Sequence, residues 1–225
     1  QFVCVYTKNA AALLPRPISI CEVNEEKTML RLVYRTVGTG TNEFAAYHAG
    51  TEISLLGPLG NGFPVEKAAG KRVFLIGGGI GIPPMLQLSK EIKKAGQAYC
   101  ELSVLGYRNE LFLNTDLEKY SQVYVATEDG SAGTKGTVLD AIKEKGLSGD
   151  VIFACGPMPM LRAVKEYAAA NNMEAYISLE EHMACGVGAC LGCVCKTKNV
   201  DAHSHVHNSR ICTDGPVYNA EEVEI

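Results

Sequence analysis

Basic excess is missing from this 225-residue chain: 21 Lys and Arg stand against 25 Asp and Glu, for a formal net charge of -4. No Lys/Arg run exceeds two residues, so neither nucleic acid nor an anionic membrane surface has a cationic face to bind. Long apolar runs are missing as well. The longest weakly polar stretch, 73–86, is interrupted by glycines and prolines and falls short of the ~20 residues that a membrane span needs. No basic n-region or apolar h-region leads the chain, and Gln1 stands where an initiator Met is expected, already inside a strand-like run. The expectation is a start that is not native and a first domain that is incomplete. Tryptophan is absent, yet there are nine cysteines. An odd count with Cys185, Cys190, Cys193 and Cys195 crowded together does not resemble a secreted disulfide framework. A reducing cytoplasm and a cysteine-ligated metal centre fit better. With 47% apolar residues the chain can bury one or two ordinary cores.

Three regimes follow along the chain. Residues 1–70 carry β-like runs at 2–6, 18–23 and 29–36, separated by Asn, Gly, Pro and Glu-Lys, and predict a small antiparallel sheet or barrel. From Lys71 strands and helices alternate: strands at 72–76, 101–106, 123–126, 151–154 and 175–179, helices at 84–95, 111–120, 137–145 and 158–171. Five strands and four crossovers predict a doubly wound parallel α/β sheet. Beyond Leu179 apolar periodicity stops, and residues 180–225 cannot close a core by burial alone. The domain boundaries therefore fall near Gly70 and Leu179.

The last segment carries the strongest motif. Cys185, Cys190 and Cys193, followed by Cys212, have the C-x4-C-x2-C…C spacing of a plant-type [2Fe-2S] cluster. Gly186, Gly188 and Gly192 suit a loop that turns tightly and offers backbone N–H groups to sulfur. Zinc is the rival occupant, although its usual second C-x2-C is lacking. Cys195 reads as a spare thiol. His203, His205 and His207 alternate in a polar stretch and read as a solvated loop, since four thiolates already complete the coordination.

A second motif, Gly77-Gly78-Gly79-Ile80-Gly81-Ile82-Pro83, joins a strand to a helix, where backbone N–H groups suit a pyrophosphate. It departs from G-x-G-x-x-G, and a glycine-rich packing turn stays open beside it. Cys155-Gly156-Pro157 and Thr127-Glu128-Asp129-Gly130-Ser131 end later strands and meet the same sheet edge. Cys155 has two readings, a thiol against a nicotinamide or a small buried side chain under a turn. Arg16-Pro17-Ile18-Ser19 and Val37-Gly38-Thr39-Gly40-Thr41 suit a diphosphate or simple turns.

Taken in order, RPIS, GTGT, GPLGNGF, LIGGGIGIPP, ACGPMPM, CGVGACLGCVC and RICTDGPVY resemble the electron-transfer subunits of dihydroorotate dehydrogenase B, within the ferredoxin reductase superfamily. The resemblance covers the whole chain. It implies an FAD-binding six-stranded β-barrel over 1–70, here truncated, an NAD-binding α/β domain over 71–179, and a [2Fe-2S] loop domain over 180–225. By that likeness Arg16, Pro17, Ile18, Ser19, Val33, Tyr34, Arg35, Gly40 and Thr41 would hold FAD. Gly77, Gly78, Gly79, Gly81, Pro83, Cys155, Gly156 and Pro157 would hold NAD, and Cys185, Cys190, Cys193 and Cys212 would hold the cluster. The implied activity is electron transfer to NAD+ from an FMN-containing catalytic subunit, two copies of each, in pyrimidine biosynthesis, with no acid or base side chain in this chain. NAD is expected over NADP despite Arg108. Related flavin subunits of NADH-linked ferredoxin oxidoreductases and sulfhydrogenases share the same motifs and form the alternative.

Overall fold

A computed structural model describes residues 1–201 and 205–225. The first part builds Phe2–Tyr6 (β1), Arg16–Val23 (β2), Leu30–Leu32 (β3), Thr39–Ala45 (α1) and Ser54–Leu59 (β4). The strands form an antiparallel sheet in the order β3-β2-β1-β4, open at β3 and β4. The strand expected over 29–36 shrinks to three residues. A register shift interrupts the β2–β3 ladder, and the next two side chains leave it for separate apolar clusters, Val33 toward the large sheet and Tyr34 onto Phe44.

The alternating part gives Arg72–Gly78 (β5), Pro83–Ala95 (α2), Cys100–Tyr107 (β6), Asn114–Leu117 (α3), Gln122–Thr127 (β7), Thr134–Lys135 (β8), Val138–Glu144 (α4), Val151–Cys155 (β9), Met158–Ala170 (α5) and Glu174–Ser178 (β10). All of these strands run parallel. Each face is covered, as a parallel sheet requires. Phe74 and Ile76 of β5 point to α4 and α5, whereas Val73 and Leu75 point to α2 and α3. The helix expected over 111–120 is reduced to one turn because Leu113 adopts a positive φ of 61° and the Tyr107 hydroxyl donates to the Phe112 carbonyl.

The last segment adds Val194–Lys196 (β11), Asn208–Arg210 (β12) and Val217–Asn219 (β13). β11 and β12 form their own ribbon, but β13 joins the large sheet antiparallel to β10, giving the order β13-β10-β9-β5-β6-β7-β8. Cys193, Ile211, Cys212, Tyr218 and Val223 are buried in the same apolar cluster as Phe2, Cys4 and the α5 residues. Among the described residues no helix is long and apolar enough to cross a membrane.

Candidate functional site

Two parallel strands set the dinucleotide edge. Gly77 stands opposite Cys155 in the β5–β9 register, so the glycine turn after β5 and the Cys155-Gly156-Pro157 turn after β9 are neighbours. They touch backbone to backbone. A side chain on Gly81 would run into the Cys155 carbonyl and the Gly156 nitrogen, and one on Gly156 would lie 3.1 Å from the Gly78 nitrogen. Gly79 alone of this turn needs the left-handed region, at φ 51°. Pro83 opens α2, where its missing N–H removes no helical bond. Burial pushes the Cys155 thiol up to about 12, so it stays protonated at the sheet edge. The 127–131 turn reaches the same edge two strands beyond β5, past β6, and its Glu128 lies 3.8 Å from Arg108.

The motifs of the first sheet also converge. Arg16, Pro17, Ile18 and Ser19 lie on β2 opposite Val5, Cys4, Val3 and Phe2. The Arg16 guanidinium covers Gly40 of α1 so closely that a side chain at Gly40 would occupy its place. Thr41 is partly committed: its hydroxyl accepts the Val37 and Gly38 N–H groups at 2.9 and 3.1 Å and so caps α1. Arg35 reaches across to the dinucleotide turn, with Nη2 3.8 Å from the point where a Gly79 side chain would begin. The two expected nucleotide sites therefore share one seam between the sheets.

The four motif thiols converge as well, and in pairs. The Cys185 and Cys190 side chains lie against each other, as do those of Cys193 and Cys212, and Cys185 is also near enough to Cys212 to raise it. Among the described residues no three of His, Cys, Asp and Glu meet at the spacing of a single metal ion. Two pairs suit two bridged irons better than one zinc, which requires a closed tetrahedron. Backbone N–H groups already point at sulfur: Val187 to Cys185 at 3.4 Å, Gly188 to Cys212 at 3.2 Å and Gly192 to Cys190 at 3.4 Å. That donation, first from Val187, holds the Cys185 thiol well below the ordinary thiol range, whereas burial and Cys193 push Cys212 up. The donor set and its N–H shell fit an iron–sulfur cluster. Cys195 is turned instead toward the Tyr218 hydroxyl. His207 bonds the Lys198 carbonyl at 3.0 Å, and His203 lies outside the described residues.

Two features escaped the sequence reading. The first is how the cluster loop is seated. Gly186 packs on Cys4 and Leu59, and the Asn61 side chain donates to the Thr213 and Asp214 carbonyls, both at 3.1 Å. Both halves of the thiol set thus rest on β1, β4 and the turn after β4. Asn61 does stand in GPLGNGF, but an Asn between glycines reads as an ordinary turn residue. The second is the pairing of Arg210 with Asp214, whose i,i+4 spacing suggests no helix and so raised no signal.

An open antiparallel sheet set against a doubly wound sheet, with glycine turns facing the seam, defines a ferredoxin reductase-like oxidoreductase. A solved structure of an NADH-dependent reduced ferredoxin-NADP oxidoreductase, from work on flavin-based electron bifurcation, superposes with a TM-score of 0.87 at 29% identity over 100% of this chain and 78% of that one. The flavohem-like FAD/NAD-binding domain of a Vibrio cholerae nitric oxide dioxygenase superposes at 0.67 and 16% identity, covering 80% and 84%, and shares the fold alone. The oxidoreductase NAD-binding domain family matches residues 75–166, and the iron–sulfur cluster binding domain of dihydroorotate dehydrogenase B matches 180–224. The electron transfer subunit of dihydroorotate dehydrogenase B (NAD(+)) from Geobacillus sp. (strain WCH70) is 44% identical over 99% of this chain and 85% of its own length. Its counterpart from Shouchella clausii is 45% identical over 94% and 80%. The chain belongs to the family of dihydroorotate dehydrogenase B electron transfer subunits.

Proposed function

We propose that the chain works as the electron transfer subunit of a B-class dihydroorotate dehydrogenase, an NAD-linked flavin iron–sulfur component of pyrimidine biosynthesis. The observation that carries this reading is the pair of thiol pairs seated on the flavin-type sheet, in a chain whose relatives match it almost end to end. A [2Fe-2S] cluster supplies one-electron transfer, FAD interconverts single electrons and pairs, and nicotinamide takes a hydride. The chain's own residues hold and orient. Cys185 and Cys190 would ligate one iron and Cys193 and Cys212 the other, and the 187, 188 and 192 N–H groups would stabilise charge on sulfur. Arg16 offers a guanidinium to the FAD diphosphate, Ser19 and Thr41 flank it, and Pro17, Ile18, Val33, Tyr34, Arg35 and Gly40 shape the flavin side of the seam. Gly77, Gly78, Gly79, Gly81 and Pro83 would admit the NAD pyrophosphate, and Cys155, Gly156 and Pro157 would hold the nicotinamide end. No side chain serves as acid or base. NAD is preferred to NADP because Glu128 stands beside Arg108, where a 2′-phosphate would need the cation free.

Residues 1–70, 71–179 and 180–225 act as the flavin, nicotinamide and cluster units. The partner is an FMN-containing catalytic subunit, two copies of each chain forming the assembly. An odd count of nine cysteines, four of them crowded at 185–195, favours a reducing, cytoplasmic setting. A second reading, NADH-linked ferredoxin reduction, is supported by the 0.87 superposition. The deciding experiment pairs the full-length protein with its copurifying partner. Cys190→Ser should abolish electron delivery from dihydroorotate yet spare NADH oxidation by an artificial flavin acceptor. Loss of both activities in a folded, FAD-loaded variant would overturn the assignment, and a ferredoxin in place of an FMN protein would favour the second reading.

A further inference from the structure

Cys212 sits in a turn whose N–H groups and Asp214 carboxylate converge on Arg210, while its carbonyls are held by Asn61. The N–H groups of Thr213, Asp214 and Gly215 donate to the Arg210 carbonyl at 3.2, 2.8 and 3.2 Å. The Asp214 carboxylate accepts from the Arg210 backbone at 2.9 Å and from its Nε and Nη2 at 3.0 Å each, while Thr213 Oγ1 donates to it at 3.2 Å. A guanidinium held by such a fork has one orientation. Its remaining nitrogen, Nη1, lies 3.4 Å from the point where a Gly188 side chain would begin. Gly188 is the residue whose N–H donates to Cys212 Sγ. The pair is therefore a dipole with its carboxylate held on the Nε/Nη2 edge and its Nη1 edge against the Gly188 loop, whose N–H donates to Cys212. The side chains are 24% and 31% exposed, so water screens this field only in part.

We propose that Arg210 is a tuning residue for the cluster, whose fixed positive charge raises the reduction potential of the iron bound by Cys193 and Cys212. Cluster potentials follow net charge and hydrogen bonding near the sulfurs, and an added electron is stabilised by a nearby cation. Asp214 acts through Arg210, setting its orientation and offsetting part of its charge. The inference rests on the cluster reading given above.

The test is an anaerobic redox titration of the cluster-loaded protein, followed by the electron paramagnetic resonance of its reduced state, with iron and sulfide counted per chain. Arg210→Gln removes the cation and leaves Asp214 unneutralised. Its midpoint should fall enough to shift the one-electron equilibrium with the flavin about tenfold, which is about 59 mV. Arg210→Lys should recover part of that fall, and Asp214→Asn should move the midpoint upward. An unchanged midpoint in Arg210→Gln at full iron and sulfide content overturns the proposal. Should Arg210→Gln fail to load, Asp214→Asn decides, and a midpoint at or below that of the parent overturns it. A parent protein without a cluster signal would instead remove the reading on which the proposal rests.

Discussion

Gly81 meets the Cys155 carbonyl, and Gly156 meets Gly78, with backbone on both sides. At Gly156 the mobile end of Met160 can still give way, but a methyl group on Gly81 meets backbone alone and has no flexible neighbour to displace. Gly81→Ala is therefore expected to lose about 1–3 kcal/mol of stability, as overpacked sites do, and to weaken NADH binding; urea unfolding and NADH titration measure the two effects. Glu101 offers a different residue-scale lever. It is buried on β6 with a hydrogen bond to Ser89 at 3.1 Å, and burial pushes its carboxyl from 4.5 up to about 7. Between those pH values the folded chain keeps a proton that the unfolded chain has released, so this group's contribution falls as pH rises from 4.5 to 7. Glu101→Gln should flatten that slope, gaining up to about 3 kcal/mol relative to the parent at pH 8; denaturation midpoints at pH 4.5 and 8 check it. At this scale the thiols and glycines were legible, because metal ligation and close backbone approach each demand one residue type. Asn61 and Arg210 were not, since their partners lie on other turns or depend on a turn's shape.

At the scale of elements, α2 is tied to the end of β2 by the Lys90 and Lys94 ion pairs with Glu22 and Glu25 and by two hydrogen bonds to Val23. Val23 donates its N–H to Gln87 Oε1 at 2.7 Å and accepts from Lys90 Nζ at 3.0 Å, so two side chains of a helix finish the hydrogen bonding of a strand end. Gln87→Ala should cost about 1–3 kcal/mol by orphaning the Val23 N–H. Amide exchange should quicken at Val23 while the β5–β6 ladder stays protected. The elements that the sequence revealed are those with strong burial. β5, β6, β7, β9 and β10 read as apolar runs because helices or the last segment cover the parallel sheet, and α2 and α5 carry a helical period. β4 was missed because its Ser-Leu-Leu-Gly-Pro-Leu run is largely exposed and contains turn residues. α1 was missed because Gly38, Thr39, Gly40 and Thr41 read as a loop; its cap and the packing of Phe44 make it helical. β11, β12 and β13 have three residues each and show no period.

For the molecule as a whole, order in the cluster segment comes from two sources of unequal reach. β13 and Val223 are packed into the large sheet and its core, whereas the loop bearing Cys185 and Cys190 has exposed Val187 and Leu191 and little apolar burial of its own. Because ligand binding free energy becomes folding free energy in such loops, removing iron should raise amide exchange over 185–193 and 210–215. Protection in β5, β9 and β10 should persist. A collapse of protection throughout the large sheet on iron removal would contradict this division. A second whole-molecule tie, Glu174 on β10 with Tyr176, Lys71 and Lys67, is held down to about 2 by those hydrogen bonds. Its stabilisation is complete above the unfolded value of 4.5 and is lost as pH falls through 2, in the window opposite to that of Glu101.

The seat of the cluster also has a chronology. Asn61, which holds the Cys212 turn, leaves the ribosome long before Cys212 does, and the strands of the large sheet from β5 to β10 are made in between. Chains generally acquire structure from the N-terminal side during synthesis. The nascent protein therefore spends an interval with its docking notch formed and three of the four thiols proposed as ligands exposed but unable to close a two-iron site. Iron insertion belongs after translation of the Cys212 turn, and a ribosome stalled before that turn should carry a folded sheet without a stable cluster.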